Sequence, residues 1–268
     1  MEYVTNGFDL GNLGLWLSLL LGAIFGSFNS LLIHRLPHGN NIIFTRSACP
    51  KCANHLCVRN LVPLLSWLLT GAKCRFCKAK ISVRYPITEL ATAILFAISY
   101  QFHGATLNAI LIALLASHLL VLCVIDIQHR IIPDLLQIII ALIGLIYAWH
   151  NQHHIGEIIG GVMLGGGVGM TLKWLIKLLK QQDGLGMGDV KFMAVSGIWL
   201  GTDLLPYYFY AGIIGVLTAL IWRCFNRDPR FPFGPALAIS LFMIVIYPPA
   251  KDWQMQLSVK IVTMIGII

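Results

Sequence analysis

Charge is what this sequence has least of. Asp, Glu, Lys and Arg make up 11% of its 268 residues against 57% hydrophobic residues, where soluble domains carry about 25% charge. So apolar a chain cannot cover a water-facing surface, which excludes an ordinary soluble globule and leaves the bilayer as its solvent. Acids are scarcer still: there are eleven in all, and none between Arg35 and Arg84, where nine of the 19 Lys/Arg fall. The opening residues, Met1 to Asn12, have no basic run and hold Glu2 and Asp9, so no cleavable signal peptide is expected and the first apolar stretch should remain as an anchor. No βαβ pattern with a Gly-rich fingerprint is present, which excludes a dinucleotide-type domain.

What is present is a series of apolar stretches. They fall at about 14–34, 86–101, 106–125, 131–149, 157–179, 188–203, 206–223 and 234–250, each near the ~20 residues that cross a bilayer. The expected fold is an all-α polytopic membrane protein of about eight transmembrane helices. The expected organisation is a first transmembrane helix at 14–34, a basic cytoplasmic loop at 35–85, a seven-helix membrane domain at 86–250 and a tail at 251–268. The net charge of +8 does not point to nucleic acid, because the cations sit in the long loop and after apolar stretches (Arg130, Lys173, Lys177, Lys180, Arg223, Arg227, Arg230). That is the positive-inside pattern. It puts the 35–85, 180–187 and 223–233 loops in the cytoplasm, the Lys/Arg-free connections 101–105 and 150–156 in the periplasm, and both termini outside. The glycines at 160, 161, 165, 166, 167 and 169 have small-xxx-small spacing, which suits close helix packing rather than a phosphate loop. No longer internal repeat stands out.

Four of the seven cysteines form two CxxC pairs, Cys49/Cys52 and Cys74/Cys77, with 21 residues between them. Reduced thiols in a cytoplasmic loop suit a metal better than disulfides, and two such pairs can close a tetrahedral four-thiolate zinc site. Four protein ligands leave no open position, so the zinc is expected to be structural. A loop this short and basic needs such a staple to fold. Cys57, Cys123 and Cys224 have no partner pattern and are expected to pack, and His55 is expected to be solvated.

The informative acids are those at the ends of apolar stretches. Asp126 closes the third and Asp189, in Gly186-Met187-Gly188-Asp189, opens the sixth, on the same expected face. A carboxylate beside hydrocarbon is costly and marks a functional site. Two of them can share a proton and titrate as a pair, the neutral one donating a hydrogen bond while the charged one activates water. Simpler roles remain open from spacing alone: Asp126 pairing with Arg130, and Asp189 or Asp134 capping a helix. Glu89, one turn into the second stretch, pairs with Arg84 or faces the core and is left out of the catalytic set.

With these residues in view the chain resembles the type IV prepilin peptidases, a family of GxGD aspartic proteases. Gly186 to Asp189 is similar to the family's Gly-x-Gly-Asp motif, and Asp126 through Pro133-Asp134 to its Asp-x6-Pro-Asp stretch. Gly26-Ser27-Phe28-Asn29, followed by Arg35-Leu36-Pro37, resembles the family's opening, although one residue usually separates Phe from Asn there. Arg84-Tyr85-Pro86 with Glu89, and Phe233-Gly234-Pro235, match further motifs in the family's order. The resemblance implies Asp126 and Asp189 as catalytic residues. It also implies cleavage of a basic leader from prepilins or pseudopilins after a glycine, at the cytoplasmic face of a bacterial inner membrane. N-methylation of the new terminus with S-adenosylmethionine is implied by the four-cysteine loop, which accompanies methylating members. The rival readings are a GxGD peptidase without methyl transfer, a non-enzymatic membrane assembly component whose basic loop meets partners or lipid, and an ion-coupled transporter.

Overall fold

A computed structural model describes residues 13–39, 48–49, 51–55, 62–181, 184–225 and 231–247. Cys57 and the 251–268 tail lie outside the described residues.

Runs of Leu, Ile, Val and Ala with few β-breaking signals fold as helices, and glycine, proline or a left-handed residue ends nearly every one. Helix α1 (Leu13–Arg35) stops before Pro37 and closes on Gly39, at φ +64°. A short α2 (Leu65–Leu69) precedes α3 (Arg84–His103), which ends on Gly104 at φ +62°. Helix α4 (Leu107–His129) turns through Arg130, at φ +57°, and Pro133 into α5 (Asp134–His150). Helix α6 (Ile155–Lys180) ends on a left-handed Gln181, and α7 (Met187–Leu200) stops at Gly201. Helices α8 (Leu205–Phe225) and α9 (Gly234–Ile246) complete the order, α9 with Pro235 in its first turn, where a missing N–H costs nothing. The described residues contain helices and two isolated bridges but no strand.

The described residues are therefore all-helical, and four helices among them are long and apolar enough to cross a membrane: 13–38, 107–129, 155–179 and 205–224. A helix occurs at each of the other expected spans, but the length differs. Helix α7 has 14 residues and α9 has 13, so α7 rises about 21 Å, short of the ~30 Å hydrocarbon core. Helix α3 begins at Arg84 and carries the buried polar residues Thr88, Glu89, Thr92 and Ser99.

The chain divides into two units, residues 1–30 with 45–113, and residues 31–44 with 114–268. In the first, α1 lies against α3 at two glycines. A Cβ on Gly22 would fall 2.7 Å from the Cα of Ala93, and one on Gly26 would strike the backbone of Glu89. The buried Asn29 donates from Nδ2 to Thr92 Oγ1 at 3.1 Å across this contact. Asn29 is thus a packing residue in place, despite its unusual spacing from Phe28.

In the second unit α6 and α7 meet backbone to backbone. Gly161, Gly165 and Gly169 are spaced four apart on α6; side chains at the first two would collide with the backbone of Gly197 and Met193 of α7, and one at Gly169 would crowd Val190. The buried Trp199 of α7 donates from Nε1 to the Ile140 carbonyl of α5 at 3.1 Å and lies 4.9 Å from the Tyr147 ring. Helix α7 is thereby held on two sides, with its first turn free to carry chemistry.

Candidate active site and metal centre

Asp126 lies in the last turn of α4 and is 5% exposed. Its Oδ2 accepts the backbone N–H of Gly234, the first residue of α9, at 2.9 Å. Asp189 lies in the first turn of α7 and is half-buried, and its Oδ2 accepts the backbone N–H of Gly186 at 3.2 Å. Each carboxylate therefore faces a helix N-terminus, where unpaired N–H groups and the helix dipole favour an anion. At Gly234 nothing larger fits without moving the carboxylate, and at Gly186 a side chain would crowd the carboxylate it holds. A Cβ on Gly234 would lie 2.7 Å from Asp126 Oδ2, and one on Gly186 would lie 3.0 Å from Asp189 Oδ2. The two carboxylates are near enough for the charge on Asp126 to act on Asp189.

The connection between them is tight as well. A Cβ on Gly188 would sit 3.1 Å from Cβ of Ile132, so the glycine before Asp189 packs on the turn that follows Asp126. Beside it Lys191 Nζ reaches both oxygens of Asp134, at 2.8 and 2.9 Å. Asp134 thus pairs with a lysine across two helices, and Pro133 at the N-cap of α5 has no side-chain cap. Asp189 does reach back to its own helix cap, so the capping role and a chemical role fall on one residue. The Arg130 amide bonds the Asp126 carbonyl at 2.8 Å, while its guanidinium lies 5.9 Å from the Trp222 ring. Glu89 faces the core: it is 8% exposed and its Oε2 accepts the Leu64 N–H at 2.7 Å.

In the first unit the sulfurs of Cys49, Cys52, Cys74 and Cys77 all lie within 4.8 Å of one another. Tetrahedral zinc with bonds of about 2.3 Å needs sulfurs about 3.8 Å apart, and Cys49 and Cys77 stand at 3.8 Å. The two pairs have one backbone design. Cys49 N donates to Asn54 O and Ala53 N to Cys49 O, just as Cys74 N donates to Ala79 O and Lys78 N to Cys74 O. Ala53 and Lys78 both have positive φ, 55° and 58°, and the bridges Ala48–His55 and Lys73–Lys80 close each knuckle. This short structural repeat escaped the sequence reading because only the cysteines are shared. Backbone N–H groups of Cys52 and Lys51 pull the Cys49 thiol down to about 6, while burial and the neighbouring thiols push Cys52 up to about 11. The residues fit a four-thiolate zinc. Cys123 is half-buried and Cys224 exposed.

The fold and the site define a helical membrane protein with two carboxylates near one another and a four-cysteine cluster able to hold a metal. Residues 20–102 match the model of the bacterial peptidase A24 N-terminal domain, and residues 113–222 that of the type IV leader peptidase family. The type 4 prepilin-like proteins leader peptide-processing enzyme of Escherichia coli O78:H11 is 32% identical over 240 residues, 82% of this chain and 88% of that one. The prepilin leader peptidase/N-methyltransferases of Pseudomonas aeruginosa (31%, 86% of this chain and 89% of that one) and Neisseria gonorrhoeae (32%, 85% and 88%) are also similar. The chain belongs to the type IV leader peptidase family. No solved structure matches it.

Proposed function

We propose that this protein is a bifunctional prepilin leader peptidase and N-methyltransferase, with Asp126 and Asp189 as its catalytic pair. The supporting observation is that each carboxylate accepts a glycine N–H at a helix N-terminus, with no room for a larger residue at Gly234, and that the two lie near enough for one charge to act on the other. Each is held through Oδ2, leaving Oδ1 for water or a proton. The charged member takes a proton from water, whose oxygen adds to the scissile carbonyl carbon. The protonated member hydrogen-bonds the carbonyl oxygen as it becomes an oxyanion. Collapse breaks the C–N bond, and the proton taken from water goes to the leaving amine. No acyl-enzyme forms.

The substrates are prepilins or pseudopilins, cut after a glycine that ends a basic leader, and S-adenosylmethionine methylates the new terminus. Zinc on Cys49, Cys52, Cys74 and Cys77 holds the two knuckles together and has no open position for chemistry. Eight helices span a bacterial inner membrane, the short α7 and α9 where the bilayer thins around them, with both termini periplasmic and the knuckles and aspartates cytoplasmic. The loop charge supports that orientation.

The test is cleavage of a prepilin with a basic leader by the purified protein in liposomes, with labelled S-adenosylmethionine present. Wild type should cut and label the product, and Asp126→Asn and Asp189→Asn should each abolish cutting. Cutting retained in either variant would remove that residue from the pair. Cutting without label would leave a peptidase alone.

A further inference from the structure

The loop between α1 and α3 has an apolar face that the metal site does not use. Leu65, Leu68 and Leu69 of α2 stand 56%, 65% and 78% exposed, and Phe76, at the tip of the second knuckle, 55%. The leucines are spaced i, i+3, i+4 and so share one side of the helix. The exposed cations Lys73, Arg75, Lys78, Lys80 and Arg84 follow the leucines and flank Phe76 in sequence, and no acid lies between Arg35 and Arg84.

Hydrogen bonds settle where this face sits in its own unit. The Leu64 N–H, at the start of α2, donates to Glu89 Oε2 at 2.7 Å. Glu89 is five residues into α3, so α2 begins about 7.5 Å along that helix from Arg84, not out beyond its end. Helix α2 and the second knuckle are one piece: Ala72 N donates to Trp67 O at 2.9 Å, Ile81 N to Ala72 O at 2.7 Å, and Trp67 Nε1 to Ile81 O at 3.4 Å.

We infer that α2 and Phe76 form a membrane-seating surface: the leucines and the phenylalanine enter the headgroup boundary of an anionic bilayer while the knuckle cations bind its phosphates. An apolar helix face joined to a Lys- and Arg-rich loop is the chemistry that binds such an interface. Charge selects this occupant over others. A second copy would bring five like charges against five, and a basic leader peptide would be repelled in the same way. The inference rests on the reading that α3 crosses the membrane, which sets the depth of Glu89.

The test is photo-crosslinking of the full-length protein, reconstituted in phosphatidylglycerol-containing or pure phosphatidylcholine liposomes. p-Benzoylphenylalanine replaces Leu68 or Phe76, or Ile94 of α3 as a control. The expected result is lipid adducts at all three positions. The yield at Leu68 and Phe76 should fall at least fivefold in phosphatidylcholine, and equally in Arg75→Gln/Lys80→Gln with zinc content unchanged, while Ile94 is unaffected. Lipid at Ile94 alone, or adducts at Leu68 with prepilin, a second copy or the 248–268 segment, would overturn the seating surface and leave α3 as a span. Equal yields in the two lipids would overturn the anionic selectivity. No lipid at Ile94 would remove the span reading, and this inference with it.

Discussion

The N–H of Gly234 reaches the carboxylate of Asp126 across 108 residues of sequence, at 2.9 Å. It ties the end of α4 to the start of α9 and gives a buried anion both a donor and a helix N-terminus. Gly234→Ala should therefore act on chemistry. The added methyl would lie 2.7 Å from Oδ2 and 3.0 Å from Cγ, so Asp126 must swing away. A misplacement of about 1 Å can cost about a hundredfold in rate. Cleavage by Gly234→Ala should fall by that order in kcat, with methylation of an already cleaved peptide kept within about twofold of wild type. Loss of both activities together would mean that the glycine serves folding instead.

The ion pair between Lys191 and Asp134 joins α7, two residues past Asp189, to the first turn of α5. Its side chains are 50% and 65% exposed, and an exposed pair contributes at most about 1 kcal/mol to stability. Lys191→Met should lower the thermal midpoint only slightly and reduce cleavage about tenfold by loosening the Asp189 turn. Asp134→Lys/Lys191→Asp should recover most of the loss if the bond matters, because it restores the bond with the charges exchanged. A double variant no better than the single ones would assign Lys191 a role other than this pair.

The chemistry was more legible than the contacts that organise it. Two CxxC pairs announce four sulfurs on one metal because each motif is local, and the sulfurs do converge. Asp126 and Asp189 stood out because acids beside hydrocarbon are rare. What holds them was not readable. Gly234 is one of 25 glycines, and its partner lies more than a hundred residues away. Asp134 beside Pro133 reads as a helix cap, because local rules favour that role and Lys191 enters only through tertiary packing. The glycine spacing of α6 was readable as a close-packing face, since a period of four is a property of one helix. The shortness of α7 was legible too, since its apolar stretch at 188–203 is one of the two shortest and Gly201, Thr202 and Asp203 close it.

The metal centre gives a prediction with two readouts. Zinc should purify with the protein at about one per chain. Cys74→Ser should reduce this to under half, since three thiolates with a hydroxyl bind zinc more weakly. The knuckle amides should lose protection at the same time, because site formation and loop folding are coupled. Hydrogen exchange should rise at Lys78 and Ile81, whose N–H groups bond Cys74 and Ala72, and stay unchanged at Trp199 in the other unit. Full zinc content in Cys74→Ser would refute four-thiolate ligation.

The α6 glycines allow a comparison within one helix. Gly165 faces the Met193 carbonyl so closely that a Cβ would collide with it, whereas a Cβ on Gly167 would meet nothing within 4 Å. Helix α7 carries Asp189 in its first turn, so a shift at Met193 moves the carboxylate. Gly165→Val should destabilise by about 1–3 kcal/mol, the usual cost of overpacking, and lower cleavage more than methylation. Gly167→Val puts the same branched residue into the same helix at almost the same depth and should be nearly silent in both assays. The pair controls for helix propensity, which differs little between the two sites. Equal damage at both positions would mean that valine harms α6 itself, and the close approach of α6 to α7 would then not be what holds Asp189 in place.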